Sequence, residues 1–278
     1  MTTFVPLLRA ERRSLRGRRA TKRTLVVTVL LTSVLGFVLG ALMIEGAEAS
    51  EYFTAQDHVH SSLLVVRLTQ FALAVLGVLA ATGRRPVTPG DRAAGPAARF
   101  AARALAFALK AFAISAASVF GMFLWSMMLF DGAKDYYGND FGTTLTQPGV
   151  ARALAFATLH VTAMALLGFA LGTLLRRRAI AIPVTVTLII TFVVLITVSG
   201  QLRHVLPDPT LIAVGTLDPD AEPPVVDRPY PGPSPLGALL VPLGWTALLL
   251  AGAAVSALFG RSTAKPTVQG SAGTTADG

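Results

Sequence analysis

The sequence has no cysteine and little charge. Of its 278 residues, 14% are charged and 53% are hydrophobic. The absence of cysteine excludes disulfides, thiolate metal sites and cysteine nucleophiles. The small charged fraction excludes an ordinary soluble domain, because such a domain carries about 25% charged residues.

Several catalytic and transport signatures are also missing. The sequence has no G-x-x-x-x-G-K-[ST] loop for ATP and no H-E-x-x-H zinc motif. No Asp or Glu lies inside a long apolar segment, which argues against a proton- or sodium-coupled carrier. His160 lies inside such a segment with no acid near it in the sequence, so we interpret it as a packed or hydrogen-bonding residue. These absences predict a chain that is not itself an enzyme and holds no metal or cofactor.

Six apolar segments divide the chain, and each is long enough to cross a hydrocarbon core about 30 Å thick as a helix. The fifth is rich in β-branched residues, but a helix is favoured there too, because an open sheet edge is not satisfied in lipid. We therefore predict an all-α membrane protein with a six-helix transmembrane domain over residues 24–260. The predicted crossings are 24–44, 61–82, 103–130, 153–175, 179–200 and 236–260.

The connectors between these segments alternate in charge. The residues before the first crossing and those in the second and fourth connectors are basic, whereas the first, third and fifth connectors are acidic. Basic connectors stay in the cytoplasm during insertion, so both termini are predicted to be cytoplasmic. The net charge of +9 is then explained by the basic residues that lie on the cytoplasmic side, where they also meet the anionic headgroups of the bilayer. It does not require a nucleic-acid partner.

Residues 1–23 form a separate basic region before the first crossing. Apolar residues and arginines recur near helical spacing over 6–23, which predicts an amphipathic helix lying on the cytoplasmic membrane surface. The alternative is a basic tail that only directs insertion. A cleaved signal peptide is disfavoured, because the apolar run is longer than the usual ~7–15 residues and an acid interrupts the small-residue motif at 47–49.

Two pairs of glycines four residues apart mark helix faces that other helices can approach closely. Gly36 and Gly40 lie in the first crossing, and Gly168 and Gly172 lie in the fourth. Helix association in lipid depends on such close backbone packing. For both pairs we favour a contact between helices of the same chain over an interface between two copies of the chain.

The remaining connectors are irregular. Pro96 suits the first turn of a helix, so a helix is expected to begin at the cytoplasmic surface and continue into the third crossing. The outer connector 201–235 is rich in proline, and its apolar stretch 210–215 either dips into the outer leaflet or forms an exposed loop. The tail 261–278 is predicted to be a disordered cytoplasmic segment.

Three stretches carry a resemblance to a known family. Residues 7–16, LLRAERRSLR, are similar to the family's basic opening before the first crossing. Residues 68–83, LTQFALAVLGVLAATG, and 167–176, LGFALGTLLR, are similar to its second and fourth crossings. Over residues 6–260 the chain resembles the permease subunits of type-2 ATP-binding-cassette exporters, in their small actinobacterial form.

The resemblance implies a multi-pass export subunit of a bacterial cytoplasmic membrane. Two copies, or this chain and a related permease, would form the translocation path. A separate ATPase subunit would carry ATP and Mg²⁺ and drive export. The residues that the resemblance places at the ATPase contact are Glu11, Arg12, Arg84, Arg85, Asp91, Arg92, Arg99 and Arg103.

One stretch departs from the family pattern. Where the family has Glu-Tyr-Ser/Thr-Gly and a short coupling helix, this chain has RRPVTPGDR over residues 84–92. Three interpretations stay open: the chain couples to the ATPase differently, it pairs with a second permease that couples normally, or it is a degenerate member. For Arg99, Arg103 and Lys110, which share a helical face, contact with lipid headgroups is an equal alternative.

Two polar residues of the second crossing are candidates to line an export path, namely Arg67 and Gln70. For Arg67 we favour the alternative of an anchor at the outer interface, paired with a loop acid such as Asp57, because a charge at the bilayer centre is costly. A second functional hypothesis is a non-transporting scaffold or immunity-type protein that acts through its outer acidic loops. A third, an ATP-independent carrier or channel, is disfavoured by the missing intramembrane acid.

Overall fold

A computed structural model describes most of the predicted transmembrane domain. Its described residues are 66–83, 95–129, 149–199 and 235–259, with residues 8–9, 26, 30, 34, 38, 145–146 and 205–206. The structure in these ranges is helical, with short turns. The five helices are α1 (Val66–Thr82), α2 (Pro96–Leu129), α3 (Val150–Leu175), α4 (Arg178–Val198) and α5 (Pro235–Phe259).

Four of the five helices, α2 to α5, are long and apolar enough to cross a membrane. The shorter helix α1 is also apolar and has 17 residues. The prediction of an all-helical fold is confirmed for the described residues, and the length and apolarity of these four helices suggest a membrane protein. α4 is a helix despite its β-branched sequence, and α2 runs without interruption from Pro96 into the third apolar segment.

The first predicted crossing, 24–44, contributes only four described residues. Val26, Leu30, Val34 and Val38 are helical, and each is about half exposed. Their spacing of four residues places them on one side of a helix. The pair Gly36 and Gly40, most of residues 1–23, the stretch 210–215 and the tail 261–278 lie outside the described residues.

α3 is the centre of the bundle. In its most apolar stretch 78% of the residues are buried, against 28% in α4 and 22% in α5. α3 is apolar on every side, as expected of a helix with no water-facing side, and it packs against all four of the others. The outward faces of α4 and α5 carry large apolar side chains such as Val194 and Leu248, as expected of helices that face lipid.

The interhelical contacts fix the direction of each helix. Along α1 and α3, contacts advance together from Gln70 with His160 to Ala81 with Gly172, so these helices are parallel. α5 is parallel to α3 as well, because Thr246 bonds to Ala163 and the Ser256 carbonyl bonds to Arg176. α2 and α4 run the other way. The first turns of α2 contact the C-terminus of α1 through Arg103, and α4 begins directly after the short turn that ends α3.

Glycine residues bring α1 and α3 into backbone contact. A Cβ atom on Gly168 would lie 2.7 Å from the Ala74 carbonyl carbon, and one on Gly172 would lie 2.9 Å from the Val78 Cα. On the facing helix, a Cβ on Gly77 would lie 2.7 Å from the Phe169 nitrogen. No larger residue fits at these positions without moving backbone, so the glycines set the distance between the two helices.

Candidate functional site

Arginines collect at one end of the bundle, which we call the basic end. It comprises the C-terminus of α1, the N-terminal turns of α2, the turn between α3 and α4, and the C-terminus of α5. No Asp or Glu occurs anywhere in the described ranges, so within them these cations have no carboxylate partner. The basic end contains Arg99, Arg103, Arg176, Arg177 and Arg178.

Arg103 joins α1 to α2. Its guanidinium donates hydrogen bonds to the carbonyl oxygens of Ala80 at 2.5 Å, Ala81 at 2.7 Å and Gly83 at 3.3 Å. The last carbonyls of a helix have no partner within the helix, and a cation there also interacts favourably with the helix dipole. Arg103 therefore caps α1 from the neighbouring helix, and its side chain is half-buried.

Arg99 lies one turn before Arg103 on α2. Its Nε atom is buried and has no hydrogen-bond partner among the described residues. Phe100, next in the chain, packs against Phe169 of α3 with ring centroids 6.2 Å apart. These aromatic contacts hold the first turns of α2 against the bundle, so the arginines of this segment are presented by a fixed helix.

The turn between α3 and α4 presents three consecutive exposed arginines. Arg176 ends α3 in the left-handed conformation, with φ of 56°, and its N–H donates to the Gly172 carbonyl. Its side chain reaches the Ser256 carbonyl of α5 at 3.3 Å. Arg177 and Arg178 extend from the same turn, and all three are exposed. Guanidinium groups bind carboxylates and phosphates in bidentate fashion, so this surface can bind anions.

A second polar feature lies inside the bundle. Gln70 of α1 and His160 of α3 are fully buried, and His160 Nε2 lies 3.1 Å from Gln70 Oε1. Because the amide oxygen accepts, the imidazole donates through Nε2. This contact bears out the interpretation of His160 as a hydrogen-bonding residue, and it gives Gln70 a partner inside the bundle.

The structure places some of the predicted site residues and leaves others outside its described ranges. Arg99 and Arg103 lie at the basic end, and Arg67 lies in the first turn of α1, at the opposite end. Gly168 and Gly172 lie in the contact between α1 and α3. The residues outside the described ranges are Glu11, Arg12, Gly36, Gly40, Arg84, Arg85, Asp91 and Arg92.

Two features of the site were not anticipated from the sequence. Arg176, Arg177 and Arg178 were interpreted only as a basic connector, although three consecutive arginines in so short a turn already indicate an exposed cationic surface. The capping role of Arg103 has no local signal, because its acceptors are 20 to 23 residues away in the chain.

Among the described residues, no group of three or more His, Asp or Glu side chains is placed to hold a metal ion. No family model, curated protein or solved structure matches this chain.

Proposed function

We propose that this chain is the membrane-spanning permease subunit of an ATP-binding-cassette exporter in a bacterial cytoplasmic membrane. The observation that carries the proposal is the basic end. Three of its arginines are exposed, Arg176, Arg177 and Arg178, and the described ranges contain no carboxylate. A surface of this kind suits a partner that supplies acidic side chains, and the proposed partner is a separate ATPase subunit.

Six crossings with both termini in the cytoplasm are part of the proposal. α1, α3 and α5 point their C-termini towards the basic end, and α2 and α4 begin there. This alternation agrees with the alternation of charge along the connectors, and positive connectors are retained in the cytoplasm. The first crossing, residues 24–44, brings the count to six and leaves residues 1–23 on the same side as the basic end.

The proposed ATPase contact consists of the basic end and the connector 84–94. Gly83 and Gly95 flank this connector, and both belong to the basic end. Because both ends of the connector are in the basic end, we include Arg84, Arg85, Asp91 and Arg92 in the proposed contact. Glu11 and Arg12 of the N-terminal region complete the proposed contact.

The proposed mechanism divides the work between subunits. The ATPase subunit binds ATP and Mg²⁺, and its movement is transmitted through the basic end. Arg103 links α2 to the C-terminus of α1, and α1 is in backbone contact with α3 through Gly77 and Gly168. A displacement of the first turns of α2 is thereby passed to the centre of the bundle. The translocation path forms with a second permease, either another copy or a related chain. Arg67 is a candidate to line it. Gln70 is buried against His160 in this conformation, so it would reach the path only if α1 and α3 separate.

Co-purification tests this proposal. The tagged chain is extracted in mild detergent, and the proteins that accompany it are identified by mass spectrometry. We expect a stoichiometric partner with a P-loop, and we expect the Arg84→Glu, Arg85→Glu, Arg92→Glu variant to lose it. A matched variant with three reversed charges on the other side, Asp131→Lys, Asp135→Lys and Asp140→Lys, should retain it.

Two results would contradict the proposal. One is the recovery of the chain without any ATPase under conditions that preserve other membrane complexes. The other is a partner lacking a P-loop that is lost only in the triple Asp→Lys variant. That second result would support the scaffold or immunity-type alternative, which acts through the outer acidic loops.

A further inference from the structure

Two serines of α2 are buried without hydrogen bonds. Ser115 is completely buried and Ser118 is 7% exposed. Neither hydroxyl oxygen has a hydrogen-bond partner among the described residues. The two side chains are three residues apart and so lie on the same side of the helix.

Five threonines of the bundle, in contrast, form a hydrogen bond within their own helix. Thr82, Thr158, Thr162, Thr173 and Thr185 each donate to the carbonyl four residues before them, at 2.7 to 2.9 Å. This local bond is the usual solution for a hydroxyl in an apolar helix. Ser115 and Ser118 do not use it, which leaves both hydroxyls available to another group.

The depth of the serines follows from the contact of α2 with α3. Phe107 and Phe169 stack with ring centroids 5.3 Å apart. Ser115 and Ser118 lie about 12 and 16 Å further along α2, at 1.5 Å per residue. Because α3 runs in the opposite direction, the same distances along it lead to the segment from Val161 to Thr158, which contains His160.

Polar groups from other helices share this depth. Gln70 of α1 bonds to His160, and Thr246 of α5 donates to the Ala163 carbonyl at 2.9 Å. Four helices thus contribute polar side chains to one level near the middle of α3. We call this set the polar layer. It contains Gln70, Ser115, Ser118, Thr158, His160, Thr162 and Thr246.

We propose that the polar layer binds water inside the membrane-spanning bundle, with Ser115 and Ser118 as two of its ligands. The layer contains hydroxyl, amide and imidazole groups and no carboxylate, ammonium or guanidinium, so it suits a small neutral hydrogen-bonding ligand. Buried water binds where polar groups have unused hydrogen-bonding capacity and each molecule finds two to four partners. The inference does not depend on the proposed transport function.

Radiolytic hydroxyl-radical labelling tests the inference. Short X-ray pulses generate radicals from water, and residue-level mass spectrometry identifies buried side chains that have water beside them. The full chain is labelled in lipid nanodiscs, and rates are normalised to the intrinsic reactivity of each residue type. We expect His160, which is 0% exposed, to be labelled severalfold faster than Phe107 and Phe169, which are 1% exposed each. Met122, one turn from Ser118 and 8% exposed, should also be labelled faster.

A pair of variants then connects the water to the serines. Ser115→Ala with Ser118→Ala removes the two hydroxyls that have no partner among the described residues. Since a buried water needs two to four polar partners, this loss should weaken its binding in the layer. The labelling of His160 should then fall towards that of Phe169. Ser256→Ala, the same substitution near the basic end, should leave the labelling of His160 unchanged.

Two outcomes would overturn the inference. In the first, His160 and Met122 of the unmodified chain are labelled no faster than Phe107 and Phe169. The layer would then be dry, and the serines would rotate to bond their own helix. Labelling that is undiminished in the double variant, with its elution profile unchanged, would mean that the serines are not ligands. The first outcome requires no variant, so the test does not depend on how the variants fold.

Discussion

At the scale of single residues, the structure shows why a charged side chain near an apolar helix need not face water or lipid. Arg103 was expected to contact either the ATPase or the headgroups. Its guanidinium donates to three carbonyl oxygens at the end of α1, where unpaired acceptors and the helix dipole favour a cation. Contact of Arg103 with the ATPase or with headgroups stays a prediction. If Arg103 also contributes to coupling, it does so from this position, as the link between α1 and α2.

Removing this cap should destabilise the bundle. Arg103→Met keeps most of the apolar stem but loses the hydrogen bonds, and a bond to a charged group contributes about 1.5–3 kcal/mol. We expect thermal unfolding of the purified chain in detergent to occur at a lower temperature. The unfolding temperature of Arg103→Lys should lie between those of the unmodified chain and Arg103→Met, because a single ammonium cannot reproduce the several hydrogen bonds of the planar guanidinium.

Arg177→Met is the matched control for this prediction, since Arg177 is an exposed arginine of the same end. Its free energy of unfolding should change by no more than about 0.5 kcal/mol. Equal unfolding temperatures for Arg103→Met and Arg177→Met would show that the cap contributes no stability.

At the scale of helices, the amino-acid pattern predicts where the helices lie in the sequence better than it predicts which helices pack against each other. The length of the apolar segments predicts the helices, and the connector charges predict which helix ends lie together. The start of α2 follows from Pro96. The glycine pair Gly168 and Gly172 indicates a close contact but does not identify the helix that makes it. That helix is α1, and the third glycine of the contact, Gly77, has no paired glycine four residues away. Contacts of this kind depend on residues about 90 positions apart, and so periodicity does not reveal them.

The contact between α1 and α3 predicts a sharp difference between glycines. Gly168→Ala places a Cβ against the backbone of Ala74, which cannot move as a flexible side chain would. Overpacking of this kind costs about 1–3 kcal/mol, so we expect a lower unfolding temperature and a smaller yield of monodisperse protein.

Gly252→Ala provides the comparison within the same bundle, because nothing lies within 4 Å of a Cβ at Gly252. There the substitution should be neutral, or stabilising by up to about 1 kcal/mol through the higher helix propensity of alanine. If Gly168→Ala is as stable as Gly252→Ala, the close backbone contact does not govern packing.

At the scale of the whole molecule, the collection of arginines at one end of the bundle connects the fold to the proposed function. The described helices bring Arg99, Arg103 and the three arginines of 176–178 to one end, as the connector charges predict. The polar layer was not predictable from the sequence, because serine and threonine are common in apolar helices and only the packed bundle shows which hydroxyls lack a local bond. Nor does the sequence identify a substrate for the proposed exporter, since the proposed path depends on a second subunit as well.

The most direct test of the account is the side of the membrane on which the basic end lies. The natural chain has no cysteine, so single cysteines can be introduced without background at Arg177, in the basic end, and at Leu145, an exposed residue in the connector between α2 and α3. Both variants are treated in intact cells with a membrane-impermeant maleimide, before and after permeabilisation. The account predicts that Leu145→Cys is labelled in intact cells and Arg177→Cys only after permeabilisation. Labelling of Arg177→Cys in intact cells would place the basic end outside and contradict both the topology and the proposed contact with an ATPase.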